Sequence, residues 1–151
     1  MTEIRFYHLS QDVTTKAVPE ILGKALARDM RILLKVPDAE RAEFYDDWLW
    51  RFQAETFMPH GKDGDLYPEK QPVWISTSDT APNGATMAMV VEEAEMPNLT
   101  DFSLICLLFD SENPHRLERA RKLWVDLKKQ DGLTLTYWQQ QDNGSWKKKD
   151  I

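Results

Sequence analysis

Three observations predict that this chain of 151 residues folds as a single three-layer α/β/α domain with a largely parallel, mixed sheet. The pattern strand, helix, strand occurs twice, once at each end of the chain. Two of the predicted strands, residues 32–36 and 104–109, are almost wholly apolar, as strands covered on both faces by helices usually are. Consecutive βαβ units of this kind build parallel sheets with helices on both faces.

The first βαβ unit begins with residues 4–9, which are rich in β-forming side chains. A helix is predicted from about Thr15 to Arg28, because apolar residues recur there at helical spacing and Pro19 falls in the first turn. Residues 32–36 form the returning strand. Strand, helix and strand together predict the first half of an open sheet.

The middle of the chain predicts a helix from Pro37-Asp38 to about Phe52, with most of its aromatic side chains on one face. Trp50 falls on a different face, so we expect its side chain to be exposed. Residues 73–75 and 87–91 are predicted strands. Asn83-Gly84 in the loop between them could close a hairpin, although that loop is long.

The last third of the chain is basic in an otherwise acidic protein. Residues 114–151 carry a net charge of +4, whereas residues 1–113 carry −10. A helix is predicted from Asn113-Pro114 to a stop before Gly132, followed by a strand at 133–138. Residues 142–151 are polar, and we expect this end of the chain to fray.

One stripe of the basic helix combines Arg121, Trp124 and Lys128 with Leu117, beside the face formed by Ala120, Leu123 and Leu127. The stripe has two interpretations. It is either a solvated basic face with Trp124 against the edge of the core, or a binding surface on which a guanidinium, an ammonium and an indole act together. An asymmetric charge distribution favours an anionic partner.

Composition limits the functions that the chain can have. Its net charge of −6 argues against broad nucleic-acid binding. The single cysteine, Cys106, lies in an apolar strand and fits a reducing compartment, and the first residues do not resemble a signal peptide. We therefore expect a cytoplasmic protein that does not contact a membrane.

The predicted fold is Rossmann-like but has no phosphate-binding loop. The turn after the first strand, residues 10–15, contains no glycine, and neither GxGxxG nor GxxxxGK[ST] occurs. His8, His60 and His115 are far apart in sequence and match no metal-binding spacing. The sequence therefore predicts no cofactor, no metal site and no catalytic residues.

Three segments resemble, in order, the chi subunit of bacterial DNA polymerase III. They are Phe6–Leu9, Leu49–Phe52 followed by Phe57–Gly61, and Ala120–Trp124 followed by Gly132. The resemblance covers nearly the whole chain and implies an α/β/α fold without enzymatic activity. It also implies a place in the clamp-loader assembly, where chi binds the psi subunit and the acidic C-terminal tail of single-stranded-DNA-binding protein, so that DNA is reached only indirectly.

The resemblance implies two binding surfaces. Trp50, Arg121, Trp124 and Lys128 correspond to the pocket for the acidic tail. The surface that faces psi corresponds to Phe57, Pro59 and His60, although Phe57 could equally be a core residue. Leu117 and Val125 stand where the family pattern has basic residues.

Two other functions compete with this interpretation. The chain could be a small α/β enzyme that acts on an anionic metabolite held by the basic helix. It could also be a module that binds single-stranded nucleic acid directly through Trp124, Trp146 and Lys147–Lys149.

Overall fold

A computed structural model describes residues 2–52 and 58–149 of the chain. Its helices are α1 (Thr14–Leu26), α2 (Ala39–Arg51) and α3 (Pro114–Lys128). Its strands are β1 (Thr2–Leu9), β2 (Ile32–Lys35), β3 (His60–Lys62), β4 (Val73–Ser76), β5 (Met87–Val90), β6 (Leu104–Asp110), β7 (Leu133–Gln140) and β8 (Trp146–Lys149). Short 3₁₀ turns lie at Pro68–Lys70 and Leu99–Asp101.

The strands form one eight-stranded sheet in the order β3-β4-β2-β5-β6-β1-β7-β8. Every neighbouring pair from β3 to β7 is parallel, and only β7 and β8 are antiparallel. The buried side chains of α1 and α2 belong to one core cluster, and those of α3 belong to another. The helices α1 and α2 therefore pack on one face of the sheet, and α3 packs on the other. The predicted three-layer α/β/α class with a largely parallel, mixed sheet is confirmed.

The local structure differs from the sequence pattern at two places. Residues 146–149, which lie within the segment expected to fray, pair with β7 as an antiparallel edge strand. The loop with Asn83-Gly84 does not close a hairpin, because β4 and β5 lie on either side of β2 and both pair with it in parallel. The Asn83 side chain instead donates a hydrogen bond to the carbonyl oxygen of Gln71 at 3.0 Å and accepts one from Ala85 N–H at 3.3 Å.

The three helices differ in the residue that caps their first turn. Asp38 and Asn113 cap α2 and α3 through their own side chains, which accept hydrogen bonds from Arg41 N–H and His115 N–H. The residue before α1 is Val13, which provides no side-chain cap. The cap comes instead from β6, whose Asp110 accepts hydrogen bonds from the N–H and the hydroxyl of Thr14 at 3.1 and 2.9 Å.

No helix among residues 2–52 and 58–149 is both long enough and apolar enough to span a bilayer.

Candidate protein-binding surfaces

The predicted stripe of α3 lies over β1 and β7, with its aromatic side chain held from below. The indole of Trp124 meets the ring of Phe6 edge-on at 5.1 Å between centroids and the ring of Tyr137 at 5.8 Å. Nζ of Lys128 lies 5.2 Å from the centroid of the Trp124 ring. Arg121 and Lys128 are exposed, whereas Trp124 is partly buried. Arg121, Trp124 and Lys128 therefore lie on one side of α3.

Three further residues, His8, Tyr137 and Lys149, belong to the same surface. The hydroxyl of Tyr137 is hydrogen-bonded to Nδ1 of His8 at 2.9 Å. Lys149 of β8 lies opposite Tyr137 of β7. We call Arg121, Trp124, Lys128 and these three residues the α3 surface.

The helical pattern of α3 does not predict these three residues, because they lie on β1, β7 and β8. A right-handed β6-α3-β7 crossover with β1 between its strands would have placed the end of β1, and so His8, under α3. The local sequence pattern does not predict this strand order, because the order depends on pairing between distant segments.

The positive charge of the α3 surface changes the acid–base properties of the groups below it. Burial lowers the pKa of His8, and the charges of Lys149 and Arg121 lower it further. Burial raises the pKa of Tyr137, against the smaller influence of Arg121. The surface is thus electropositive where Arg121, Lys149 and the imidazole come close together.

We expect His8 to make the folded state less stable at acid pH. Its pKa is lowered on folding, so the folded state favours the neutral ring. This contribution is fully present above the ordinary histidine pKa of about 6.5 and is lost as the pH falls through the lower folded value. Urea unfolding of the parent and of His8→Asn at pH 7.5 and pH 5.5 tests this. The variant should lose less stability on acidification, and equal losses would contradict the assignment.

Trp50 does not lie with the α3 surface, which corrects the prediction that it shares a pocket with Arg121. Trp50 belongs to α2, which packs over β3 and β4, whereas α3 packs on the other face over β6 and β7. The strands β4 and β6 are three positions apart, or roughly 14 Å along the sheet. One pocket cannot include both side chains.

Trp50 instead lies against β3, on a surface that it shares with Pro59 and His60. Its ring centroid is 4.2 Å from that of His60, and 47% of the tryptophan is exposed. His60 itself is only 5% exposed. We call Trp50, Pro59 and His60 the α2 surface. Phe57, which was predicted to belong here, lies outside the described residues.

The imidazole of His60 is held in place below Trp50. One ring nitrogen lies 2.7 Å from the carbonyl oxygen of Met58, and the other lies 2.9 Å from the carbonyl oxygen of Asp46. The Asp46 carboxylate is 3.1 Å from the second nitrogen. His60 therefore positions the exposed indole, and the side chains that a partner could contact are Trp50 and the partly exposed Pro59.

Replacing Trp50 by alanine should change the free energy of unfolding by less than about 1 kcal/mol, because nearly half of the residue, 47%, is exposed. The neighbouring residue Leu49 is 2% exposed and belongs to the core, so Leu49→Ala should cost about 2–5 kcal/mol. Chemical denaturation of both variants measures the difference. A loss of several kcal/mol for Trp50→Ala would show that the indole supports the fold.

The positions where an α/β enzyme would place its chemistry are occupied by structural contacts. The amino end of α1, where a phosphate would bind, faces the buried carboxylate of Asp110. Burial raises the pKa of the Cys106 thiol to about 12, so its thiolate is scarcely populated at neutral pH. Among the described residues, no three His, Cys, Asp or Glu side chains form a cluster that could hold a metal ion.

Comparison with known proteins places the chain in one family over most of its length. The model of a family described as "DNA polymerase III chi subunit, HolC" matches residues 1–136. A relative from Rickettsia prowazekii (strain Madrid E), described as "Probable DNA polymerase III subunit chi", is 23% identical over 157 residues, covering 98% of this chain and 92% of its own. The family match includes the α2 surface and all of α3, whereas Tyr137 and Lys149 of the α3 surface lie beyond it. The chain belongs to the chi-subunit family of DNA polymerase III.

Proposed function

We propose that this chain links DNA polymerase III to single-stranded-DNA-binding protein by binding the acidic C-terminal tail of that protein at the α3 surface. The observation that carries the proposal is the packing of Trp124. Its indole is fixed edge-on against Phe6 and Tyr137, with the ammonium of Lys128 5.2 Å from the ring. Arg121 extends from the same stripe of the helix.

The chemistry of the α3 surface suits a short acidic peptide that ends in an apolar residue. Arg121 can hold a carboxylate with two parallel hydrogen bonds, and Lys128 and Lys149 add positive charge around it. The indole of Trp124 provides apolar area for the terminal side chain. Because its packing partners already fix the ring, little rotational freedom is lost when a peptide binds.

As a member of the chi family, the chain is an accessory subunit of DNA polymerase III and takes part in DNA replication without catalysing a reaction of its own. Membership of this family argues against the alternative that the chain is a small enzyme acting on an anionic metabolite. The buried Asp110 at the amino end of α1 disfavours that alternative further, because it would repel a phosphate.

The α2 surface is the proposed contact with the clamp loader, through psi or an equivalent subunit. Trp50 and Pro59 offer apolar area on the face of the sheet opposite α3, and the buried His60 keeps the indole in place. Phe57 belongs to the same proposal on the basis of the family motif. An exposed tryptophan supported from below is typical of an anchor residue at a protein interface.

Titration with a labelled tail peptide tests the main proposal. The peptide copies the last residues of the organism's own single-stranded-DNA-binding protein, and a matched peptide replaces its acidic residues by their amides. We expect the acidic peptide to bind and the amide peptide to bind far more weakly, because the cations then lose their carboxylate partners. Equal binding of the two peptides, or no binding of the acidic one, would refute the proposal.

A further inference from the structure

The sheet face that carries α1 and α2 presents a second patch of side chains at its β1-β7-β8 end. On this face α1 packs over β6, and α2 packs over β3 and β4. In β1, Ile4 and Phe6 point towards α3 and are fully buried, whereas Arg5 and Tyr7 point the other way and are partly exposed. The three strands beyond α1 thus offer this face to solvent.

Three aromatic side chains, one from each strand, lie together on this face. Tyr7 of β1 stacks on Trp138 of β7, with ring centroids 6.4 Å apart and planes 22° apart. Trp146 of β8 meets Tyr7 edge-on at 5.0 Å. All three are partly exposed. Aromatic side chains on neighbouring strands of an open sheet are a common platform on which single-stranded nucleic acids stack their bases.

Cationic side chains surround these rings. The guanidinium of Arg5 lies 6.0 Å from the centroid of Trp138, and Lys148 lies directly opposite Trp138 in the β7-β8 ladder. Lys24 of α1 and Arg28, which follows that helix, line a cavity shared with Tyr7 and Trp146. Phosphates alternate with bases along a nucleic acid, so cations at the edges of an aromatic platform match that spacing.

Two carboxylates offset part of this charge. Glu3 pairs with Arg5 at 2.7 Å, and Glu20 pairs with Lys24 at 3.6 Å. In the part of the chain that the structure describes, Arg28 and Lys148 form no ion pair. Arg28 and Lys148 are therefore the cations whose charge is available to a ligand.

The cavity beside the rings has a volume of about 140 Å³. It lies between α1 and the sheet, with apolar side chains such as Leu104 below and Arg5, Lys24 and Arg28 around it. Its size is close to that of the roughly 150 Å³ cavity known to hold a benzene ring. This volume is sufficient for one planar ring, and three cations, Arg5, Lys24 and Arg28, are among the lining residues.

We propose that this patch, formed by Tyr7, Trp138, Trp146, Arg28 and Lys148, contacts single-stranded DNA directly. It is distinct from the α3 surface, since Trp124 lies on the other face of the sheet. The cations are spread around three aromatic rings, which favours a nucleic acid with its repeated phosphates. An acidic peptide would instead need several cations close to each carboxylate. The net charge of −6 acts weakly here, because charges beyond about 8 Å are screened at physiological salt.

A labelled oligothymidylate of about 16 nucleotides is the probe, with fluorescence anisotropy of the full chain as the measurement. We expect weak, salt-dependent binding with a Kd on the order of 10⁻⁵ M. Arg28→Glu combined with Lys148→Glu should weaken it at least tenfold. Trp146→Ala should weaken it roughly tenfold through lost stacking. Lys70→Glu reverses a single charge next to β4, far from this patch. It is the control for each reversal made alone and should leave binding unchanged.

The two charge reversals are at exposed positions, so thermal melting should show that the variant remains folded. Unchanged oligonucleotide binding by this folded variant would overturn the proposal, as would failure of the parent to bind at low salt. A variant that loses the acidic peptide instead would identify the patch as a peptide site. Arg121→Ala keeps the two proposals separate, because it should weaken binding of the peptide and leave the oligonucleotide bound.

Discussion

Replacing Arg121 by alanine is expected to weaken binding of the acidic tail peptide by about 2 kcal/mol or more, which corresponds to roughly thirtyfold in Kd. The guanidinium is exposed in the free protein, so its removal leaves no buried group without a partner. The loss is therefore one of binding, with stability changed by less than about 0.5 kcal/mol. Isothermal titration calorimetry on the folded variant measures it.

Two variants serve as controls for this prediction. One changes another residue of α3, and the other makes a conservative change at position 121. Lys122→Ala removes a neighbouring exposed cation from a different stripe of α3 and should leave the affinity close to that of the parent. Arg121→Lys keeps the charge but loses the two-pronged geometry, so it should recover only part of the affinity. If Arg121→Ala binds the peptide as tightly as the parent, the α3 surface is not the tail site.

Replacing Phe6 by alanine is expected to have the largest effect on stability, a loss of about 3–5 kcal/mol in the free energy of unfolding. Phe6 is fully buried, and its ring contacts the rings of Phe109, Trp124 and Tyr137. Its removal opens a cavity directly below the indole of Trp124. Urea denaturation measures the stability loss.

The same substitution should also weaken tail binding in the fraction that remains folded, because Trp124 loses its support. Leu22→Ala is the matched control, since Leu22 is equally buried but belongs to the core cluster on the other face of the sheet. It should destabilise the protein by about 2–5 kcal/mol and leave the peptide affinity unchanged. A parental affinity for folded Phe6→Ala would show that the indole needs no support from β1.

Elements with a strong local signal could be predicted from the sequence. The start of α3 is an example, because the Asn113 side chain accepts the hydrogen bond from His115 N–H that its residue type predicts. The two central strands were equally clear, since a continuous apolar run has few alternatives to burial. By contrast, β3 and β8 are short and polar, and they are strands only because β4 and β7 offer them a free edge.

The composition of the candidate sites was harder to predict, because it depends on which elements meet. Helical phase correctly placed Trp50 away from the core, but phase does not tell on which face of the sheet a helix packs. His8 and Tyr137 are hydrogen-bonded across 129 positions of sequence, and only the strand order brings them together. The motif within α3 was therefore recognisable, whereas its neighbours from β1, β7 and β8 were not.

The placement of the α2 and α3 surfaces on opposite faces of one sheet has a thermodynamic consequence. Two ligands that share no contact residue and do not shift a common equilibrium have a coupling free energy near zero. Each partner should then bind the free chain and the chain that already carries the other partner with the same Kd. Neither partner should displace the other. The chain would act as a rigid tether, raising the effective concentration of one partner near the other without changing the affinity of either contact.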